Sequence, residues 1–259
     1  MSWARATVAL GARGAVAYRA GVVVRLVSAT LVGLLTASVW FAVTDGRDAV
    51  AGVPAADLVT YAVVSWLAAS TWSSPVGGEL AEQGRSGDLA LLLLRPVPLQ
   101  AWLYLRDLGR AAAVFTLSAG PLLALALLVL PLSRPQTAGP WLAFAASLVL
   151  AHAVAYGLAW LVGLGAALLR TGGGLLHAQS AAFALLSGAL IPLDLYPGWA
   201  SRLARMLPFA ALADAPAQLF LGRAGSGVLV LQAAWAVALA LVGGLAWRVV
   251  RRRLVVQGG

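Results

Sequence analysis

The sequence predicts an all-α membrane protein in which six transmembrane helices form a single domain over residues 1–259. Hydrophobic residues make up 61% of the chain and charged residues 10%, whereas a soluble domain has roughly 45–50% and about 25%. The mean hydropathy is +0.90. Because so few polar side chains cannot cover the water-facing surface of a chain this long, the protein is predicted to lie in a lipid bilayer.

The first segment, residues 2–19, predicts a helix that lies in the plane of the lipid head groups. On a helical wheel Trp3 and Leu10 share one side, whereas Arg5 and Arg13 fall on the other. An apolar side with an aromatic residue, opposite a basic side, is typical of an interfacial helix. The alternative is a basic tail that only fixes the orientation of the chain.

Six apolar segments follow that are long enough to cross the bilayer. A helical crossing takes about 20 residues, within a range of about 17–25. The fifth segment is near the lower limit of that range, and the fourth is long enough to tilt. The predicted spans are residues 22–43, 58–75, 111–132, 141–168, 175–191 and 228–247.

The basic residues predict which way the bundle faces. All 18 of them are arginines, and the net charge is +9. With the N-terminus inside, 13 arginines fall on the inner side and 5 on the outer side. Since cytoplasmic segments are enriched in basic residues, both termini of this multi-pass protein are expected in the cytoplasm, and the chain in the cell membrane. The charge then reflects orientation, and no nucleic-acid partner is expected.

The cytoplasmic loop over residues 76–110 contains a short leucine-rich run that is too short to cross the membrane. Gly87-Asp88 precedes the run and Arg95-Pro96 follows it. These boundaries predict a short helix that begins near Asp88 and ends before Pro96. A soluble partner could dock on this loop; alternatively, the loop merely covers its own leucines.

The outer segment over residues 192–227 is too polar to cross the membrane and too apolar to be a free loop. Its four prolines predict short helices that tuck back into the outer leaflet. Arg202 and Arg205 are expected to reach head groups or water. The residues predicted to cap the outer end are Pro192, Asp194, Pro197, Trp199, Pro208 and Phe209.

The residue types that are absent or rare exclude several chemistries. The chain has no lysine, so it cannot form a P-loop, and no cysteine, so it has neither disulfides nor thiolate ligands. His152 and His177 are expected at different depths, which favours structural roles over a metal or haem site. The sequence therefore predicts no catalytic residue, no metal and no cofactor in this chain.

Polar and aromatic side chains share one side of the second span and one side of the fifth. Mixed faces of this kind suit an amphipathic substrate, but they equally suit ordinary hydrogen bonding between helices. Ionisable residues are nearly absent from the spans, so energy for any transport is expected from another chain. The two faces consist of Tyr61, Ser65 and Trp72, and of Gln179, Phe183 and Ser187.

Two segments resemble type-2 ABC exporter permeases. Residues 87–96, Gly-Asp-Leu-Ala-Leu-Leu-Leu-Leu-Arg-Pro, are similar to the G-x-L-x-x-x-L-L-x-P stretch of that family's cytoplasmic coupling region. Residues 187–197, Ser-Gly-Ala-Leu-Ile-Pro-Leu-Asp-Leu-Tyr-Pro, with Leu207-Pro208-Phe209 beyond them, resemble the family's short re-entrant outer helices. The order of these segments within a six-span frame is closest to the drug-exporter-like branch.

This resemblance implies that the chain is the transmembrane subunit of an ATP-driven exporter. ATP and Mg would bind to separate ATPase subunits, and a second permease chain, identical or homologous with a heterodimer favoured, would complete the path between the second and fifth spans. The rival hypotheses are a membrane-embedded lipid-modifying enzyme and a membrane assembly protein without transport. The residues that the resemblance assigns to ATPase coupling are Glu82, Arg85, Gly87, Asp88, Leu92, Arg95 and Pro96.

Overall fold

Helices account for most of the described chain. A computed structural model describes residues 3–17, 19–72, 74–94, 97–169 and 172–257. The α-helices are α1 (Trp3–Val16), α2 (Arg19–Thr44), α3 (Ala55–Trp72), α4 (Val76–Ser86), α5 (Leu99–Val114), α6 (Gly120–Val129), α7 (Ala138–Leu169), α8 (Gly172–Leu186), α9 (Gly198–Met206), α10 (Asp214–Phe220) and α11 (Gly227–Gln257). Short 3₁₀ helices cover Asp88–Leu94, Leu193–Leu195 and Ala210–Leu212, and strands β1 (Ala49–Val50) and β2 (Val53–Pro54) form an antiparallel hairpin.

Four helical stretches within the described residues are long and apolar enough to cross a membrane. They are Ala20–Thr44, Leu99–Val129, Ala138–Leu169 and Gly227–Arg252. The predicted second and fifth spans correspond to the shorter helices α3 and α8. With 15 residues, α8 is about 22 Å long, whereas the hydrocarbon core is about 30 Å thick.

The second of these long stretches begins at Leu99, earlier than the predicted start of the third span at residue 111. Pro98 precedes it in an extended conformation, and no glycine pair or proline interrupts the next 20 residues. The polar residues before residue 111 therefore continue the helix instead of forming a loop. A π-helical turn over Phe115–Ala119 joins α5 to α6. Pro121 follows that turn and lacks the N–H that would close a regular α-helical turn there.

Helix α7 lies at the centre of the fold. Its buried residues extend from Phe144 to Ala167, and it packs against α4, α8, α10 and α11. One end of the bundle carries α1 and the last turns of α11, and we call it the terminal end. The opposite end carries residues 192–227, and we call it the cap end.

Helix α1 lies across α5 in very close contact. The space where a Cβ atom would stand on Gly11 is filled by the carbonyl of Arg106, and that on Gly109 by the carbonyl of Val8. Such an approach of two backbones requires glycine at both positions. Beside this contact, α1 exposes Trp3 by 48% and Leu10 by 55%, so these two residues of the predicted apolar side are not covered by the described chain.

The cap-end segment folds as a chain of short helices. Pro192 and Pro197 directly precede the first 3₁₀ helix and α9, where a missing N–H costs no hydrogen bond. Every residue of α10 is buried, and this helix packs against α3 and α7. The segment is thus anchored on the bundle through α10, whereas α9 lies at its surface.

Candidate functional site

At the terminal end, α4 packs tightly along the last turns of α7. A Cβ atom on Gly84 would lie 2.5 Å from the Cα and Cβ atoms of Ala167, and one on Gly163 would lie 2.8 Å from the Cα atom of Gly77. Leu80 is fully buried between these contacts. Helix α4 is therefore a rigid attachment to α7, although the sequence predicted only a loop there.

The residues assigned to coupling lie at the end of α4 and directly after it in the sequence. Gly87 ends α4 in the left-handed conformation, with a φ of 84°, which glycine adopts without steric cost. Asp88 then begins the 3₁₀ helix, and its carboxylate accepts a hydrogen bond of 2.7 Å from the hydroxyl of Ser86. The predicted short helix from Asp88 to a point before Pro96 thus corresponds to Asp88–Leu94.

The side chains of this region divide into an exposed set and a buried set. Glu82 and Arg85 form an exposed ion pair on the last turn of α4. Leu89 is buried, and Leu92 packs with it against the core of the terminal end. Arg95 and Pro96, which were also assigned to coupling, lie outside the described residues. Exposed charges thus lie beside leucines that fasten the 3₁₀ helix to the bundle.

A second ion pair in this region joins two helices and was missed by the sequence reasoning. Glu79 of α4 binds Arg106 of α5, and the backbone of Arg106 also contacts Gly11 of α1. Three helices of the terminal end therefore meet at Arg106. The two partners are 27 positions apart in the sequence, so no local spacing signal could have identified the pair.

A cavity of about 230 Å³ lies between α3, α7, α8 and the cap-end segment. Gln179 and Phe183, two of the predicted path residues, line it from α8. Ser74 lines it at the junction of α3 and α4, and Phe209 lies on its cap-end side. The structure thus brings part of the predicted path together with one of the predicted cap residues.

The other predicted path residues lie elsewhere. Tyr61, Ser65 and Ser187 are fully buried within the chain, and none of them lines the 230 Å³ cavity. Ser65 donates to the carbonyl of Ala62 at 3.2 Å. Trp72 is the last residue of α3, and its side chain lies outside the described part of the structure.

Tyr61 instead holds the cap-end segment on α3. Its hydroxyl donates to Asp214 at 2.8 Å, and its oxygen fills the space beside Gly188 where a Cβ atom would stand. Gly188 has a φ of 83°, so both its conformation and its crowding require glycine. The backbone N–H of Asp214 donates to the carbonyl of Ser187 at 2.9 Å, which fastens α10 to the end of α8.

Charged side chains surround this contact. Arg205 of α9 binds both Asp194 and Asp214, so it does not extend freely to water as predicted, whereas Arg202 is exposed. Gln218 donates to Asp194 at 2.9 Å. Burial raises the pKa of Asp214 above its ordinary value, although Arg205 and Tyr61 lower it in part. For Arg205, burial lowers the pKa, but the two carboxylates outweigh it and the net shift is upward.

Two further charges continue the cluster toward α3. Arg223 binds Asp57 at 2.6 Å and lies 3.7 Å from Asp194. Asp57 also accepts a hydrogen bond from Ser133. We call the set Asp57, Asp194, Arg205, Asp214 and Arg223 the cap-end charge cluster.

The remaining predicted cap residues occupy three kinds of position. Pro192 and Pro208 are buried, and Pro197 is exposed. Trp199 is 68% exposed on α9 and stands on one side of that helix with the exposed Leu203 and Met206. Phe209 is half-buried and faces the 230 Å³ cavity, so it lies inside the segment and not on the outer surface.

The two histidines lie on different helices. His152 is buried on α7 with its ring centroid 5.5 Å from that of Tyr104, whereas His177 is exposed on α8. In the part of the chain that the structure describes, no group of three His, Cys, Asp or Glu side chains is placed to hold a metal ion.

The chain is largely helical, and its described residues include four apolar helices of spanning length, which defines a multi-pass membrane protein. The family described as ABC-2 family transporter protein matches residues 28–258, and the chain belongs to that family. No curated protein and no solved structure gives a match. The family expected from the two sequence segments is therefore confirmed, and the chain is a membrane component of a transporter.

Proposed function

We propose that this chain is the permease subunit of an ATP-driven exporter, and that separate ATPase subunits drive it from the terminal end. The observation that carries the proposal is the construction of that end. Glu82 and Arg85 form an exposed charged surface on α4, with Asp88 directly after the helix, and glycine contacts lock α4 to the central helix α7. A partner that moves this surface moves α7 with it.

In this proposal the chain crosses the membrane six times with both termini in the cytoplasm. Helix α3 crosses together with α4, with a break between Trp72 and Val76, and α8 crosses together with the turn that follows it. The terminal end then holds most of the arginines, as the enrichment of basic residues in cytoplasmic segments requires. Helix α1 lies at the inner surface of the membrane with Trp3 and Leu10 toward lipid.

The path for substrate lies along the 230 Å³ cavity and is completed by a second permease chain, with a related but different chain favoured. Gln179 and Phe183 offer a polar and an aromatic side chain at the cavity wall, a combination that suits amphipathic ligands. Phe209 and Leu212 line the cavity on the cap-end side. In this proposal, export requires the cavity to open on the cap-end side.

The lack of lysine supports the assignment of ATP hydrolysis to another chain. A P-loop needs a lysine on the nucleotide phosphates, and the sequence has none. ATP and Mg would therefore bind to the partner ATPase, and their binding energy would reach this chain only through the contact surface at the terminal end.

The test reverses one charge on that surface. Affinity-tagged wild type and Asp88→Arg are purified from native membranes, and ATPase activity is measured in the eluates. Asp88→Arg is expected to lose most of the copurified ATPase activity, because a like charge then stands beside Arg85 and the hydrogen bond from Ser86 is lost. Asp45→Arg, which reverses a charge at the exposed cap-end terminus of α2, is the matched control and should keep the activity. Equal activity in all three eluates would refute docking at this surface.

A further inference from the structure

A second and larger cavity lies at the cap end, between the cap-end segment and the first turns of α11. Its volume is about 550 Å³, within the range of roughly 300–1,000 Å³ that is typical of small-molecule sites. It shares no lining residue with the 230 Å³ cavity assigned to the path. It is therefore a separate cavity that the proposed substrate path does not include.

Charges of both signs lie within reach of a molecule in this cavity. Asp194 stands between Arg205 and Arg223 and binds both. The side chains of Arg205, Arg223 and Asp194 are exposed by 38%, 25% and 19%. A ligand can therefore contact a guanidinium and a carboxylate at the same time, which a zwitterion does with its two charges.

The balance of the site favours a ligand that carries a cation as well as an anion. Two carboxylates, Asp194 and Asp214, and two guanidiniums, Arg205 and Arg223, line the cavity, so a purely anionic ligand gains no net electrostatic attraction there. Gln232, which lies at the cavity wall, donates through its amide nitrogen to the carbonyl of Ala211 at 2.8 Å. This bond fixes the orientation of the amide, and its oxygen accepts no hydrogen bond from the described part of the chain.

The shape of the cation follows from the acceptors around it. A primary ammonium has three N–H donors, and carboxylate and amide oxygens accept hydrogen bonds from them. A quaternary ammonium has none and is recognised by aromatic cages, whereas Trp235 is the single aromatic residue among the described residues that line the cavity. Val228, Leu231 and Trp235 make the α11 side of the cavity apolar, and Leu231 is 41% exposed, so a lipid chain attached to the ligand can lie along α11.

We propose that the cap-end cavity binds a zwitterionic head group that carries a phosphate and a primary ammonium. Arg205 and Arg223 contact the phosphate, and Asp194 accepts from the ammonium. The source is either phosphatidylethanolamine in the outer leaflet or a water-soluble ester of phosphoethanolamine. The proposal concerns binding alone, so it stands or fails independently of coupling to ATP.

Native mass spectrometry of the purified full chain with added lipid tests the head group. Wild type is expected to retain phosphatidylethanolamine about tenfold more than phosphatidylcholine or phosphatidylglycerol of the same acyl chains, because one charge-assisted contact is lost with each competitor. Asp194→Asn should reduce retention of phosphatidylethanolamine to the phosphatidylcholine level, and Asp194→Glu should retain most of it. Equal retention of the three lipids by wild type would overturn the proposal.

The control separates the cavity from general attraction between lipids and arginines. Arg202 is an exposed residue of α9, the helix that carries Arg205, but it does not line the cavity. Arg202→Gln should therefore leave the preference for phosphatidylethanolamine unchanged. Loss of the preference in Arg202→Gln as large as in Asp194→Asn refutes the site. Glycerophosphoethanolamine is added as a soluble competitor, and displacement of the lipid indicates a water-borne ligand, whereas persistence of the lipid indicates a membrane lipid. Circular dichroism of each variant shows that it is folded.

Discussion

The attachment of α4 to α7 can be tested with two glycines of the same helix. Gly84 faces α7, where an added Cβ atom would lie 2.5 Å from Ala167. Gly78 faces away, and an added Cβ atom there would meet nothing within 4 Å. Alanine at either position makes the same chemical change in α4, so the two variants differ only in whether the new methyl group meets the neighbouring helix.

The expected magnitudes follow from two opposing terms. Replacing glycine by alanine within a helix stabilises it by about 0.5–1 kcal/mol, and this term is common to both variants. Overpacking a tight contact costs about 1–3 kcal/mol, and this term applies to Gly84→Ala alone. The difference in the free energy of unfolding between the two variants therefore isolates the contact with α7 and is expected to be about 1–3 kcal/mol.

The assay is unfolding of each purified variant in detergent micelles, followed by circular dichroism and by tryptic cleavage after Arg85, which lies in the last turn of the same helix. Gly78→Ala should unfold at or above the wild-type transition. Gly84→Ala should unfold earlier and be cleaved faster, since a displaced α4 exposes its backbone. Should Gly84→Ala be as stable and as resistant as Gly78→Ala, α4 is not locked to α7 and the proposed route from the ATPase to the central helix fails.

Two further predictions address topology and the cap end. The chain has no cysteine, so a single cysteine can be introduced at the exposed residue Ser86 or Ser226. The two variants should react with a membrane-impermeant maleimide from opposite sides of sealed vesicles. Reaction from the same side at both positions would exclude the six-crossing arrangement. Tyr61→Phe removes a hydrogen bond to the Asp214 carboxylate and should lower the free energy of unfolding by about 1.5–3 kcal/mol. The matched variant Tyr196→Phe removes a hydrogen bond to the neutral carbonyl of Leu185 and should lower it by about 0.5–1.5 kcal/mol. Equal losses in thermal unfolding would show that the contact with Asp214 stabilises the fold no more than a neutral hydrogen bond.

The long apolar helices could be predicted because a membrane crossing has a length signature. Apolar runs of about 20 residues leave few alternatives, and the ends of α2 and α7 agree with the prediction within a few residues. The start of α5 was missed because polar residues were taken to lie outside the membrane part of a helix. Asp107 is nevertheless buried within α5, where Arg110 binds it at 2.6 Å, and a pair of opposite charges one turn apart lets the helix continue.

Helix α4 could not be predicted from local propensity. Three of its eleven residues are glycines, each of which lowers the stability of an isolated helix relative to alanine. Those on the α7 side are favourable in the fold because they let two backbones approach closely. That benefit depends on a neighbour far away in the sequence, so only the end of the helix, at Gly87 and Asp88, had a local signal.

The ion pairs of the cap-end charge cluster also depend on neighbours that are distant in the sequence. Proline spacing and polarity were sufficient to predict short helices and to single out Asp194, but not to pair the charges. Arg205 lies only three residues from Arg202 in a helix where both were expected to face head groups, yet one is exposed and the other binds two carboxylates. Asp214 lies far from Tyr61 in the sequence, and their hydrogen bond exists because α10 is buried against α3. Which arginine turns inward is therefore decided by the packing of α10, which neither the local sequence nor its charge pattern contains.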